Sequence, residues 1–151
     1  MLLIYLWHEE KPSDADSDKD CKVPGGVSTE NILESAFSTT VMRIWDIEPE
    51  YLCRYHLLGE HRELHALWNI ITLDKSGYRN HPETKRWRGR LAALYRRHQK
   101  LVDEMSRRGY MHSSPLDAKL ATGEEHQTVY LNTIEEQRTM LVSKKCPCLL
   151  K

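Results

Sequence analysis

Between Pro82 and Gly109 the large residues Trp87, Leu91, Leu94, His98, Leu101 and Met105 step by four and three without interruption. That period collects them on one stripe of an α-helix and does not match the two-residue alternation of a half-buried strand. The boundary signals agree. Pro82 suits a first helical position, with Asn80 or His81 as the cap before it. Arg107 and Arg108 fall in the last turn, where the helix dipole favours cations, and Gly109 supplies the left-handed residue that ends the helix. The spacing predicts one helix over 82–108. Its opposite face carries Lys85, Arg86, Arg88, Arg90, Arg96, Arg97 and Lys100, most of them directed to solvent.

A single amphipathic helix has nothing to bury its stripe against, so the rest of the chain must supply a partner. The segment 52–71 does so: Leu57, Leu64, Trp68 and Ile71 recur at helical spacing, and Leu67 widens the stripe. Pro49 fits a short lead-in turn, and the run from Thr72 to Gly77 has the composition of a closing turn. Met42 to Ile47 reads as a short extended stretch with bulky apolar residues. Two helices of this length bury little alone. The core therefore also needs 42–47, Tyr110, Met111 and a polar third helix within 124–144, where Val129, Ile134 and Leu141 are thin anchors. Residues 11–40 hold Pro12, Pro24 and Gly25-Gly26 among Asp, Ser and Lys, and should lack regular structure. The fold class that follows is all-α. A compact few-helix domain over 42–115 is flanked by an acidic, mostly disordered extension, 1–41, and a weakly structured polar tail, 116–151.

The formal net charge of zero hides a segregation. Residues 1–41 carry 3 basic and 8 acidic side chains, whereas 42–115 carry 14 Lys/Arg against 9 Asp/Glu, a net of +5, and the remainder has 5 of each. A basic block of this kind suits a polyanionic partner and equally suits a solvated face without one. No apolar run approaches the roughly 20 residues that cross a bilayer, so no membrane partner is expected. Met1 to Trp7 is too short, and followed too soon by His8, Glu9 and Glu10, to read as a secretory leader. Cys21, Cys53, Cys146 and Cys148 are scattered, as reduced thiols of a soluble intracellular protein, in cytoplasm or nucleoid/nucleus, would be.

One stretch, His56 to His65, concentrates groups capable of chemistry. On a helix His56, Glu60 and Glu63 share a face, and a carboxylate beside Arg62 can act as a general base or stabilise a cation. A surface helix laced with ion pairs would use the same residues, so both readings stay open at this point. His61 and His65 are four apart, as in zinc-binding helices, but Glu63 lies about 200° around the helix from either of them. Spacing places no third ligand, and the sequence predicts neither metal nor cofactor. Cys146-Pro147-Cys148 beside Lys144 and Lys145 offers two thiols without a specific signal. Trp45, Trp68 and Trp87 are able to stack on bases, although Trp68 and Trp87, at helical spacing, read as core.

Taken in order, Met42-Arg43-Ile44-Trp45-Asp46-Ile47, Leu57 through His65, Gly77 through Thr84 and Arg108-Gly109-Tyr110 resemble the pyrimidine-dimer DNA glycosylase/AP lyase family, the dimer-specific phage type. The resemblance spans about half the chain. It implies a compact all-α enzyme that binds duplex DNA holding pyrimidine dimers or abasic sites, flips a base, breaks a glycosidic bond and nicks the backbone by β-elimination. It implies that Glu63 is the catalytic glutamate and that Arg43, His56 and Arg62 contact DNA. Arg86, on the basic face of the second helix, is a further expected DNA contact. Where the phage enzyme has an arginine one turn past the glutamate this chain has Ala66, and the phage protein's aromatic, lysine-containing C-terminal segment has no counterpart after Pro115. The family nucleophile is an N-terminal α-amine, whose pKa near 7.7–8.0 leaves it partly neutral at physiological pH. The matching amine belongs to Met42. In the 151-residue chain that nitrogen is an internal amide, so imine chemistry requires a chain initiated or processed at Met42. A DNA-binding module of the same fold without the nucleophile, and a helical protein-interaction domain, are the alternative classes. Oligomeric state is not encoded in any of these features.

Overall fold

The structure is a computed structural model that describes residues 42–144 and 147–149. The expectation for 1–41 lies outside the described residues. Four α-helices are present among the described residues: α1 (Arg54–Thr72), α2 (Pro82–Trp87), α3 (Leu91–Arg107) and α4 (Ile134–Ser143), with 3-10 turns at Pro49–Tyr51 and Ala118–Leu120. The all-α expectation holds: no strand forms among the described residues, only an isolated bridge between Arg90 and Gly123.

The core is the α1–α3 pair. Leu57, Leu64 and Leu67 of α1 and Leu94 and Leu101 of α3 are completely buried, with Trp68 and Met105 beside them. Burial of each such side chain contributes roughly 1.5–3 kcal/mol. Met42, Ile44, Trp45 and Ile47 of the extended N-terminal segment join the same cluster. Trp87 does as well, so Trp68 and Trp87 are core residues as their spacing indicated.

The single helix expected over 82–108 is two helices. Arg88 is extended (φ −61°, ψ 133°) and Gly89 has φ +73°, a left-handed conformation that interrupts the helical hydrogen-bond ladder. The later segment 122–124 packs into this break. Glu124 N–H donates to Gly89 C=O at 2.9 Å, while Ala92 and Ala93 N–H donate to the carbonyls of Thr122 and Glu124 at 2.9 and 3.0 Å. These bonds satisfy donors that the start of α3 would otherwise leave orphaned. The approach is so close that a Cβ on Gly123 would lie 2.1 Å from Gly89 O. Both boundary predictions outside the break hold. His81 caps α2, its Nδ1 accepting from Glu83 N–H at 3.1 Å, and Gly109 (φ +80°) ends α3 with Tyr110 N–H donating to Met105 C=O.

α4 covers only the second half of the 124–144 segment. Thr133 and Glu136 form a capping box at its start: Thr133 N–H donates to Glu136 Oε2 at 2.8 Å and Glu136 N–H to Thr133 Oγ1 at 3.2 Å. Of the three expected anchors Leu141 alone is buried; Val129 and Ile134 are exposed. The other anchor of α4 is polar. Gln137 is buried and holds Asp46 from both sides, its Oε1 accepting from Asp46 N–H at 2.8 Å and its Nε2 donating to Asp46 Oδ2 at 2.9 Å. Leu116, Leu141 and Cys148 complete the core cluster, and Leu149 N–H donates to Tyr51 C=O at 2.8 Å.

Candidate functional site

The extended segment 42–47, which carries Met42 and Arg43, has no sheet to satisfy its backbone, so α2 does the work. Ile44 N–H donates to Glu83 Oε1 at 3.3 Å, and Ile44 C=O accepts from Arg86 Nη2 at 2.7 Å. Arg86 then reaches Glu83 through Nε at 2.7 Å, and both Asp46 oxygens and Val129 C=O through Nη1 at 3.0–3.1 Å. The expectation that Arg86 and Arg97 face solvent is corrected: both are buried. Arg86 donates to the fold through every guanidinium nitrogen, and Arg97 makes a two-pronged pair with Glu60 at 2.7 and 2.9 Å. Helical periodicity marked both as lying off the apolar stripe, and they do, but neighbouring segments cover that side of the helix.

The expected shared face of His56, Glu60 and Glu63 is divided among three environments. Glu60 is turned into the α1–α3 interface, where burial pushes its carboxyl pKa up against the pull of Arg97. Glu63 is half-buried. Burial raises its pKa too, and the group whose charge opposes that rise is His81. Because His81 Nδ1 accepts from Glu83 N–H, the proton of a neutral His81 ring sits on Nε2. Tyr78, in the turn before α2, is exposed yet holds φ +57°, an unfavourable conformation for a bulky side chain, with its ring 6.0 Å from that of His81. Arg62 is exposed, and Arg43 is half-buried with its guanidinium 5.3 Å from the Trp45 ring centroid. Trp45 itself is 5% exposed, so the stacking surface imagined for it is covered by the protein. Met42 is 4% exposed and belongs to the core.

His56 stands between two thiols. Its Nδ1 is 3.2 Å from Cys53 Sγ and 3.3 Å from Cys148 Sγ, and Cys148 Sγ also accepts from Cys53 N–H at 3.0 Å. The Cys148 contact, followed by that of His56, holds the Cys53 thiol well below its ordinary range against the opposing effect of burial. The tail cysteine that carried no signal in sequence is thus drawn to the start of α1.

A second convergence joins three parts of the chain. His61 and His65 project from α1, His98 from α3 and His112 from the segment after α3. One ring nitrogen from each lies within 4.8 Å of all the others. His65 Nε2 is 3.3 Å from His61 Nε2 and 3.2 Å from His98 Nε2. Burial lowers all four pKa values, His61 to about 3 and His98 to about 4, with neighbouring imidazoles adding to the effect on His61, His65 and His98. Spacing along one helix identified the first two of these residues and had no means of finding the other two. Both this cluster and the Cys53/His56/Cys148 trio present donor sets able to hold a metal ion.

The arrangement defines a small helical domain with a basic surplus, in which a half-buried glutamate feels the charge of the histidine that caps α2. The sequence model described as pyrimidine dimer DNA glycosylase matches residues 42–118, just over half of the chain, and the chain belongs to that family. No curated protein and no solved structure matches it. No helix among the described residues is long and apolar enough to cross a membrane.

Proposed function

We propose that this chain is a DNA-repair glycosylase/AP lyase acting on pyrimidine dimers in duplex DNA, with Glu63 as its catalytic carboxylate. The observation that carries the reading is the family match from residue 42 onward, within which Glu63 is a half-buried carboxylate left free of the ion pair that consumes Glu60. The proposed DNA face comprises Arg62, Arg43 and His56. Arg86 is left out of it, because its guanidinium is spent on Glu83, Asp46 and two carbonyls.

Flipping a nucleotide out of the duplex opens the path to the sugar. The neutral α-amine of Met42 attacks C1′ as the C1′–N bond to the base breaks, one amine proton passing to the departing base; the C1′–O4′ ring bond then opens, O4′ taking a proton from solvent, to leave a protonated imine. Glu63 stabilises the positive charge developing on the sugar and accepts a proton as C2′ is deprotonated; the 3′-phosphate then leaves.

The test is covalent trapping by borohydride on DNA containing an abasic site. A chain beginning at Met42 should trap, residues 1–151 should not, and acetylation of the Met42 amine should silence the short chain. Equal trapping by both would assign the amine to a lysine, such as Lys75 or Lys85. Trapping by neither would leave a DNA-binding module of the same fold.

A further inference from the structure

The four converging histidines are not used by the chemistry above. We propose that His61, His65, His98 and His112 bind one divalent first-row transition-metal ion of the zinc type, as a clamp joining α1, α3 and the segment after α3.

Two of the nitrogen separations have the length expected in a tetrahedral nitrogen site, and all lie within 4.8 Å. A metal–nitrogen bond of about 2.0–2.1 Å in a tetrahedron sets neighbouring nitrogens roughly 3.3–3.4 Å apart. The two Nε2···Nε2 separations around His65 are 3.3 and 3.2 Å. Hydrogen bonding among the rings does not account for the cluster equally well. A neutral ring nitrogen either donates one hydrogen or accepts one. His65 Nε2 faces His61 Nε2, His98 Nε2 and, at 3.5 Å, Ser114 Oγ, so its single role leaves some of these contacts unsatisfied. Among the described residues no carboxylate hydrogen-bonds to any of the four rings, so they are not held as a charge-paired network. Four imidazole nitrogens drawn within 4.8 Å of one another are what a cation requires. An all-imidazole donor set selects zinc, cobalt, nickel or copper over magnesium and calcium, which take oxygen ligands.

The surroundings suit ligation as well. His98 Nδ1 lies 3.2 Å from the side-chain amide of Gln99. With that amide turned to present its oxygen, Gln99 accepts the Nδ1–H that a metal-bound Nε2 requires and orients the ring. Glu63 sits between the two α1 ligands in sequence but about 200° around the helix from each, so an ion there braces the turn that carries Glu63 from its opposite side. The inference stands on these side chains alone and does not depend on the proposed reaction.

The test uses the full chain, without a polyhistidine tag, loaded with zinc and dialysed, then measured by elemental analysis and by melting. One zinc per chain and a raised Tm are expected at this site. Both should persist in Cys53→Ser, which breaks the thiol trio, and both should be lost in His112→Gln and His98→Gln. If His98→Gln fails to fold, the half-buried His112 decides. Cobalt at this site should give visible d–d bands lacking sulfur-to-metal charge transfer, and these should vanish in His112→Gln. Zinc retained unchanged in His112→Gln, a cobalt spectrum of thiolate type abolished by Cys53→Ser alone, or no zinc retained after dialysis would each overturn the proposal.

Discussion

Replacing Arg86 with methionine separates a fold role from a DNA role for the residue that sequence reading placed on DNA. The Arg86 side chain is 2% exposed, and so is that of Glu83, while Asp46 is 10% exposed. Methionine roughly fills the space of the aliphatic stem and removes the cation. Two carboxylates then stay in the interior without a counter-charge. Breaking a buried pair from one side typically costs about 3–5 kcal/mol. The lower part of that range applies here, because each carboxylate keeps neutral donors: Glu83 retains Ile44 N–H and Trp87 Nε1–H, and Asp46 retains Gln137 Nε2–H. A loss of about 3 kcal/mol in a domain of this size lowers Tm by roughly 12 °C or more. Arg86→Lys should recover only part of this, since an ammonium cannot span Glu83, Asp46 and the Ile44 and Val129 carbonyls together. Exposed Lys85→Met is the control, expected within about 0.5 kcal/mol of the parent. Thermal and urea denaturation of the full chain measure both. An Arg86→Met variant that melts within a few degrees of the parent but loses duplex affinity would refute the reasoning and return Arg86 to the DNA face.

Glu63→Gln should lower cleavage of dimer-containing DNA at least about 100-fold while leaving melting and duplex binding unchanged; wild-type cleavage would make Glu63 an ordinary helix residue. Arg43→Ala and Arg62→Ala should each weaken duplex binding and reduce its logarithmic salt slope by about one unit, and an unchanged slope in both would place DNA elsewhere, along Lys85 and Arg88. Gly123→Ala puts a methyl 2.1 Å from Gly89 O at φ +83°, so denaturant titration should show a loss of at least roughly 1–3 kcal/mol; a neutral result would mean that the 89/123 contact does not hold the start of α3. Gly59→Ala, in the middle of α1 with nothing within 4 Å of the added methyl, should instead stabilise by about 0.5–1 kcal/mol, and a loss would point to close packing around that turn.

Much of the helical core was legible because periodicity is a local property. The phase of Leu57, Leu64 and Trp68, and of Leu94, Leu101 and Met105, follows from 3.6 residues per turn whatever packs against them. His81 as a cap and Gly109 as a stop act within a few residues of themselves. The break at Gly89 escaped because Trp87 and Leu91, on either side of it, both stay near the core, so the stripe runs on in the sequence while the helix does not. The Thr133/Glu136 capping box was readable and marks the true start of α4.

By itself, the sequence determined the helical class, most helix ends, the apolar stripes and the motif order that carries family membership, because each depends on residues near one another along the chain. Tertiary structure alone decided which basic side chains are buried, that Glu60 pairs with Arg97 while Glu63 does not, that Cys148 reaches His56, and that His98 and His112 meet His61 and His65. A helical period gives the angle of a side chain about its own axis. It does not say which distant segment covers that side of the helix, and burial, ion pairing and ligand convergence all depend on that covering segment.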